Sequence, residues 1–243
     1  MVMSPAAQFD LARQLRTADG TALGDVFSFV SGLYFRGKLA YARRFAQPPD
    51  PTDSVTAGGV LVITPNAGLR SADTPITIAS LQAFASVSID LANPAYRRPL
   101  EQGALALREA IGPDCEVVLL GSIASGKYVE VLQPIFADKL VFPPAFVGRG
   151  DMSRGGLMLR CVLAGVELDY APIAGATRHG ERPPKLEPVR GILRGAPEGA
   201  PYGRTAGRQG AENSEPAVGR PFKGVTRTEP GVGRRVKGAK KTR

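Results

Sequence analysis

Apolar and polar positions alternate along the first 180 residues in blocks that predict helices and strands in turn. In residues 33–46, Phe35, Leu39, Ala42 and Phe45 recur at helical spacing, while Lys38 falls with the arginines on the predicted polar side. A longer helix is predicted over residues 95–111, with an apolar side that includes Leu100, Ala104, Leu107 and Ile111. Shorter helices are predicted near residues 4–19 and 79–87.

Strands are predicted at residues 59–64, 116–120, 140–142 and 166–172. The first is a continuous apolar run between glycine and proline, which is typical of a buried parallel strand. Helices at 128–137 and 154–164, the latter with Ser153 as N-cap, complete an alternation of strand and helix. This order predicts an α/β three-layer sandwich with a mostly parallel sheet of about four strands. We expect one domain over residues 1–180, with a helical part at 1–50 and a sheet core at 55–180.

The charge of the chain is concentrated at its C-terminal end. Residues 1–180 hold 16 basic and 16 acidic side chains, whereas residues 181–243 hold 15 basic and 6 acidic ones and account for the net +9. Glycine and proline make up 19 of those 63 residues, and no hydrophobic period is visible. A segment of this composition is predicted to be a disordered basic tail. Two roles stay open for it: a solvated extension, or weak contact with nucleic acid or an acidic partner.

Composition also bears on location and on metal chemistry. No stretch resembles a signal peptide or a membrane span, so we expect a cytoplasmic protein without a membrane partner. Two cysteines and a single histidine predict neither a disulfide framework nor a His/Cys metal site. Neither a cofactor nor an oligomeric state can be read from the sequence.

Residues 121–127 read Gly-Ser-Ile-Ala-Ser-Gly-Lys and lie between a predicted strand and a predicted helix. The spacing matches the start of a phosphate-binding P-loop, but Tyr128 stands where such loops place Ser or Thr for magnesium. No buried strand ending in aspartate completes a metal site either. NTP hydrolysis of the P-loop type is therefore disfavoured, and an anion site at a helix start remains. Its predicted ligand-binding residues are Gly121, Ser122, Ser125 and Lys127.

Polar loops follow all four predicted strands, and ligands of open α/β sheets bind beyond the carboxyl ends of the strands. In residues 148–156, Arg149, Ser153 and Arg154 are predicted to bind phosphate or carboxylate, and Asp151 is a candidate acid or base. An Arg–Asp pair that only holds a helix start is the structural alternative.

Two further candidates for proton transfer follow the first and last strands. Asp73 is a candidate acid or base that could equally cap the segment from Pro75, and His179 could reach the site or lie at the surface where the domain ends. No metal ligand is predicted.

Short motifs across residues 30–170 resemble a loose family of uncharacterised bacterial and phage proteins. They are Leu33-Tyr34-Phe35-Arg36, Tyr41-Ala42, Gly68-Leu69, residues 72–76, Lys127-Tyr128 and Gly150-Asp151-Met152. The resemblance implies a Rossmann-like α/β fold and a role in nucleotide or nucleobase metabolism. It carries no catalytic role, because the family has no settled activity, and Arg70-Ser71 replaces its commoner Val-Pro-like pair.

Two functions follow from these observations. The first is binding of a phosphorylated or nucleotide-like small ligand at the strand-end loops. Whether the protein is also a hydrolase or transferase acting on that ligand stays open. The second is a non-enzymatic binding module whose basic tail contacts nucleic acid or an acidic partner.

Overall fold

The computed structural model describes residues 2–124 and 126–186, and within them helices and short strands alternate. The helices are α1 (Asp10–Gln14), α2 (Leu23–Ser31), α3 (Leu33–Phe45), α4 (Ile78–Ala85), α5 (Pro94–Ile111), α6 (Gly126–Phe136) and α7 (Asp151–Ala164). The strands are β1 (Thr21–Ala22), β2 (Leu61–Thr64), β3 (Gly68–Ser71), β4 (Pro75–Ile76), β5 (Val117–Val118), β6 (Leu140–Phe142) and β7 (Ala171–Pro172). None of the described helices is long and apolar enough to cross a membrane. The predicted tail falls outside the described residues from position 187 onward.

Helix α5 forms the centre of the larger core, as its period predicts. Asn93 caps it by accepting a hydrogen bond from the Ala95 amide at 3.1 Å, and Pro94 occupies the first turn. The side of α5 that faces inward is buried: Tyr96, Leu100, Ala104, Leu107 and Ile111. These side chains pack with α6, β6 and the start of the β5–α6 loop in one apolar cluster.

The strands form three small sheets, so the mixed α/β content is confirmed while the four-stranded parallel sheet is not. Among the described strands, β1 pairs with β4 and β2 with β3, both antiparallel. The third sheet has the order β5-β6-β7, in which β5 and β6 are parallel and β7 is antiparallel. The three-layer sandwich expected from the alternation of elements is therefore not what these strands build.

The β2–β3 hairpin explains why the pattern was misleading. Leu61 and Ile63 of β2 pack on the α5 cluster, whereas Val62 belongs to a second apolar cluster with α2, α3 and α4. Both faces of an antiparallel hairpin are therefore apolar, which produces the continuous run expected of a parallel strand. The turn is closed by Thr64, whose hydroxyl donates to the Gly68 carbonyl at 2.9 Å and accepts from the Ala67 amide at 3.1 Å.

Some helix boundaries also differ from the prediction. Helix α7 begins at Asp151 after Gly150, so Ser153 lies in its first turn and is not the N-cap. The region of residues 4–19 contains only the short α1, and α2 was not predicted at all. Gly32, with φ of 68°, ends α2 and allows α3 to start one residue later.

Helices α3 and α7 cross in backbone contact, and this crossing positions the candidate site. A Cβ on Gly37 of α3 would lie 2.7 Å from the Gly155 carbonyl oxygen of α7. A Cβ on Gly155 would lie 2.7 Å from the Leu33 carbonyl oxygen and 2.9 Å from Cα of Tyr34. The two glycines thus let the first turn of α7 lie directly against the first half of α3. The space beside Gly155 is filled by the backbone of α3.

Candidate functional site

Tyr34 and Lys38 lie one turn apart on the face of α3 that meets α7. Four residues of separation place both side chains on the same side of a helix. The Lys38 Nζ atom lies 4.0 Å from the centroid of the Tyr34 ring, which is a cation–π contact. Both side chains are largely covered by the elements around them. Lys38 is therefore turned inward, and the sequence prediction that it lies on the polar side of α3 is wrong.

The first turn of α7 supplies a second cation and a carboxylate. Arg154 is only 12% exposed, its Nη1 lies 3.7 Å from the Asp151 Oδ1, and Asp151 is 69% exposed. The Arg154 Nε donates to the Phe146 carbonyl at 3.1 Å, and its guanidinium lies 5.9 Å from the Phe146 ring centroid. Arg154 lies near enough to Tyr34 to act on the pKa of its hydroxyl. The guanidinium is thus held between α3 and the segment that leads into α7.

The loop between β5 and α6 reaches the same place. The Tyr34 hydroxyl donates to the Leu120 carbonyl at 3.3 Å, and Tyr128 is close enough to Tyr34 and Asp151 to interact with them electrostatically. The start of α6 is fixed by Tyr96, whose hydroxyl donates to the Lys127 carbonyl at 2.9 Å. We name the set Tyr34, Lys38, Tyr128, Asp151 and Arg154 the Lys38 cluster.

Burial changes the ionisation of this cluster. It lowers the pKa of Lys38 to about 8; the Asp151 carboxylate opposes that shift, and the Arg154 cation adds to it. Burial raises the pKa of Tyr34 to about 12 against the effect of Arg154, and burial and Asp151 raise the pKa of Tyr128. Near neutral pH the two tyrosines are neutral hydrogen-bond donors, and a minor fraction of Lys38 is a neutral amine.

The direction of the strands explains which polar loops meet. β5 and β6 are parallel neighbours, with Val117 opposite Leu140 and Val118 opposite Val141. Their carboxyl ends therefore share one sheet edge, and the loops leading to α6 and α7 leave from it. β7 runs the other way, so the chain leaves it at the edge where β6 begins. β2 turns back directly into β3.

Of the predicted site residues, the structure places Asp151 and Arg154 in the Lys38 cluster and Lys127 beside it at the start of α6. Gly121 is buried in the preceding loop, and Ser122 accepts a hydrogen bond from the Ala124 amide at 3.3 Å. Ser125 lies outside the described residues.

Arg149 and Ser153 lie on a different side of α7. The Arg149 Nη1 donates to the Ser153 hydroxyl at 3.3 Å and to the Pro184 carbonyl at 3.4 Å, while its Nε donates to the Ala145 carbonyl at 3.0 Å. They line an open groove of about 540 Å³ between α7 and residues 182–186. Their binding role stays a prediction, separate from the Lys38 cluster.

Asp73 and His179 lie elsewhere. Asp73 is 73% exposed and forms an ion pair with Arg43 at 2.6 Å, and His179 is exposed. Among the described residues, neither Asp73 nor His179 acts on the ionisation of the Lys38 cluster. The acid or base role predicted for each stays a prediction.

Sequence reasoning missed Tyr34, Lys38 and Tyr128 as site residues. The available signal was an aromatic residue and a lysine four positions apart, Tyr34 and Lys38, flanking Gly37 on one helix. A glycine inside a helix permits close contact with another helix, but it does not identify that helix. The partner, with Gly155 at its contact point, lies far along the chain.

No family model, no curated protein and no solved structure matches this chain significantly.

Proposed function

We propose that this protein binds a phosphorylated or nucleotide-like small ligand at the Lys38 cluster, between the loops that follow β5 and β6. In the wider form of the proposal the protein is a hydrolase or transferase acting on that ligand. Asp151 is then the acid or base, because it is the exposed carboxylate of the cluster.

The observation that carries the proposal is an excess of buried positive charge. Lys38 and Arg154 are two largely covered cations. Among the described residues, Asp151 is the one carboxylate that acts on the ionisation of Lys38; it also pairs with Arg154, and it faces solvent. Removing a cation from water without a full counter-charge costs several kcal/mol. The lowered pKa of Lys38 is the expected response to such an imbalance. A bound anion would offset it.

The cations and the free hydroxyl donor of the cluster suit a phosphate oxygen. The planar guanidinium of Arg154 can donate two parallel hydrogen bonds, and the Lys38 ammonium adds a compact charge. Tyr128, kept neutral by its raised pKa, remains a hydroxyl donor over the whole physiological range, whereas the Tyr34 hydroxyl already donates to the Leu120 carbonyl. The neighbouring start of α6, with Lys127, adds the partial positive charge of a helix N-terminus.

Thermal unfolding of the full chain in increasing inorganic phosphate, and then in nucleoside monophosphates, tests the proposal. A ligand at 100 times its dissociation constant stabilises the folded state by about 2.7 kcal/mol. We expect this stabilisation in the wild type and its loss in Lys38→Met, which keeps the apolar stem but removes the charge. Lys139→Met is the matched control, because Lys139 is exposed on the turn after α6. Equal ligand-induced shifts in both variants would overturn the site assignment.

The second hypothesis, a binding module that acts through a basic tail, concerns residues that are mostly outside the described part of the chain. It rests on the 15 basic and 6 acidic side chains of residues 181–243. It stays a prediction beside the ligand proposal, with which it is compatible.

A further inference from the structure

Lys38 differs in surroundings from an ordinary surface lysine. Its amine lies on the face of the Tyr34 ring at 4.0 Å, and the adjacent Gly37 lies against Gly155 of helix α7. The residue nevertheless keeps some solvent exposure. The amine is therefore held against an aromatic ring in a side chain that is not fully buried, and Asp151 of the same cluster is exposed.

Three elements contribute groups to the cluster around this amine. Tyr34 comes from α3 itself, Tyr128 from α6, and Asp151 and Arg154, which act on the ionisation of Lys38, from α7. Asp151 can accept a proton, the Tyr128 hydroxyl can donate a hydrogen bond to an oxygen, and Arg154 can hold a phosphate. A nucleophile, a proton acceptor and an anion-binding cation thus belong to one cluster.

The state of the amine at neutral pH favours reaction. With a pKa of about 8, roughly a tenth of Lys38 is neutral at pH 7, and this fraction is roughly 300-fold larger than for a lysine at its ordinary value. Only the neutral amine attacks a carbonyl carbon, and desolvated lysines beside another cation are activated in this way.

We propose that Lys38 forms an imine with the carbonyl carbon of an aldehyde- or ketone-bearing phosphate ester, whose phosphate Arg154 binds. The Nζ lone pair forms a bond to the carbonyl carbon, and the nitrogen proton passes through Asp151 to the oxygen, giving a carbinolamine. The carbinolamine then loses its hydroxyl group and a nitrogen proton as water, which leaves a C=N bond. The phosphate part of this inference rests on the function proposed above.

Trapping by reduction tests the inference on the full wild-type chain. The protein is incubated at pH 7 with pyridoxal 5′-phosphate, which carries both an aldehyde and a phosphate, reduced with borohydride, and mapped by peptide mass spectrometry. We expect adducts on Lys38 to exceed those on exposed Lys139 at least tenfold, and to disappear in Lys38→Arg. Similar occupancy at Lys38 and Lys139 would overturn the inference.

Two further arms separate this inference from the anion site. Pyridoxal, which lacks the phosphate, should label Lys38 about tenfold less, and excess inorganic phosphate should slow labelling by pyridoxal 5′-phosphate. If phosphate stabilises the fold through Lys38 but no adduct forms there, the nucleophile is refuted and the anion site stands. If pyridoxal labels Lys38 as well as its phosphate ester does and phosphate gives no stabilisation, the anion site is refuted instead.

Discussion

The α3–α7 crossing makes a quantitative prediction about two adjacent glycines. In Gly155→Ala the new methyl carbon would lie 2.7 Å from the Leu33 carbonyl oxygen and 2.9 Å from Cα of Tyr34. Both are backbone atoms of α3, so the helices must separate. In Gly156→Ala the nearest atom is Nη1 of Arg160, a side-chain atom 3.1 Å away, which needs to shift by only a few tenths of an ångström.

Comparison of the two variants isolates the loss of stability that a side chain causes at the helix crossing. Replacing glycine by alanine inside a helix stabilises by up to about 1 kcal/mol, and this gain applies to both variants. Overpacking of a tight interface costs about 1–3 kcal/mol and applies to Gly155→Ala alone. We therefore expect Gly156→Ala to be neutral or more stable than wild type, with Gly155→Ala about 1–3 kcal/mol less stable than Gly156→Ala.

Urea unfolding followed by circular dichroism measures the difference in unfolding free energy between the two variants. It appears as a shift of the urea midpoint while the dependence of the free energy on urea concentration stays constant. If Gly155→Ala matches or exceeds the stability of Gly156→Ala, the two helices are not in backbone contact and the position of the Lys38 cluster is wrong. A second measurement links the crossing to the site. Separation of α7 from α3 hydrates Lys38 and returns its pKa toward the ordinary value. Labelling of Lys38 by pyridoxal 5′-phosphate should therefore require a higher pH in Gly155→Ala than in Gly156→Ala.

Two further predictions concern single charged residues. Lys38 has a folded pKa of about 8, below the ordinary value of 10.5, so between these values the unfolded chain binds more protons and the stability of the wild type rises with pH. The rise is at most about 1.4 kcal/mol per pH unit, and Lys38→Met should lack it when urea midpoints are compared at pH 7 and 9.5. A wild type with the same pH slope as the variant would contradict the lowered pKa. Asp73→Asn should cost less than about 1 kcal/mol, because the side chains of Arg43 and Asp73 are 43% and 73% exposed. It should also leave phosphate-induced stabilisation unchanged; loss of that response would place Asp73 in the ligand site.

Part of the candidate site could be predicted because its signals are local. The strand, polar loop and helix order of residues 116–137 and 140–164 follows from hydrophobic period and from glycine and proline positions. Asp151, Arg154 and Lys127 are predicted on this basis, because they follow the ends of two strands that are parallel neighbours. Asp73 and His179 were grouped with them on the same rule, but β2 and β7 are not parallel neighbours of β5 and β6 in the described structure.

Lys38 shows why the rest could not be predicted. Its place in the helical period is on the apolar side of α3, three residues after Phe35 and four before Ala42. A long lysine side chain on such a side can still carry its charge to solvent. Here the neighbouring Gly37 lies against Gly155 of α7. Whether a lysine is exposed or desolvated thus depends on a second helix that no local pattern identifies.

The sequence by itself determined the extents of α3, α5 and β6, the buried side of α5 and the strand–loop–helix order around the candidate site. These depend on period and turn chemistry within a few residues. Only the tertiary structure decided that β2 pairs with β3, that two of four polar loops share one edge, and that α7 crosses α3 at Gly37, next to Lys38. Strand direction and helix crossing are set by contacts between distant segments, so the Lys38 cluster exists only once the chain has folded.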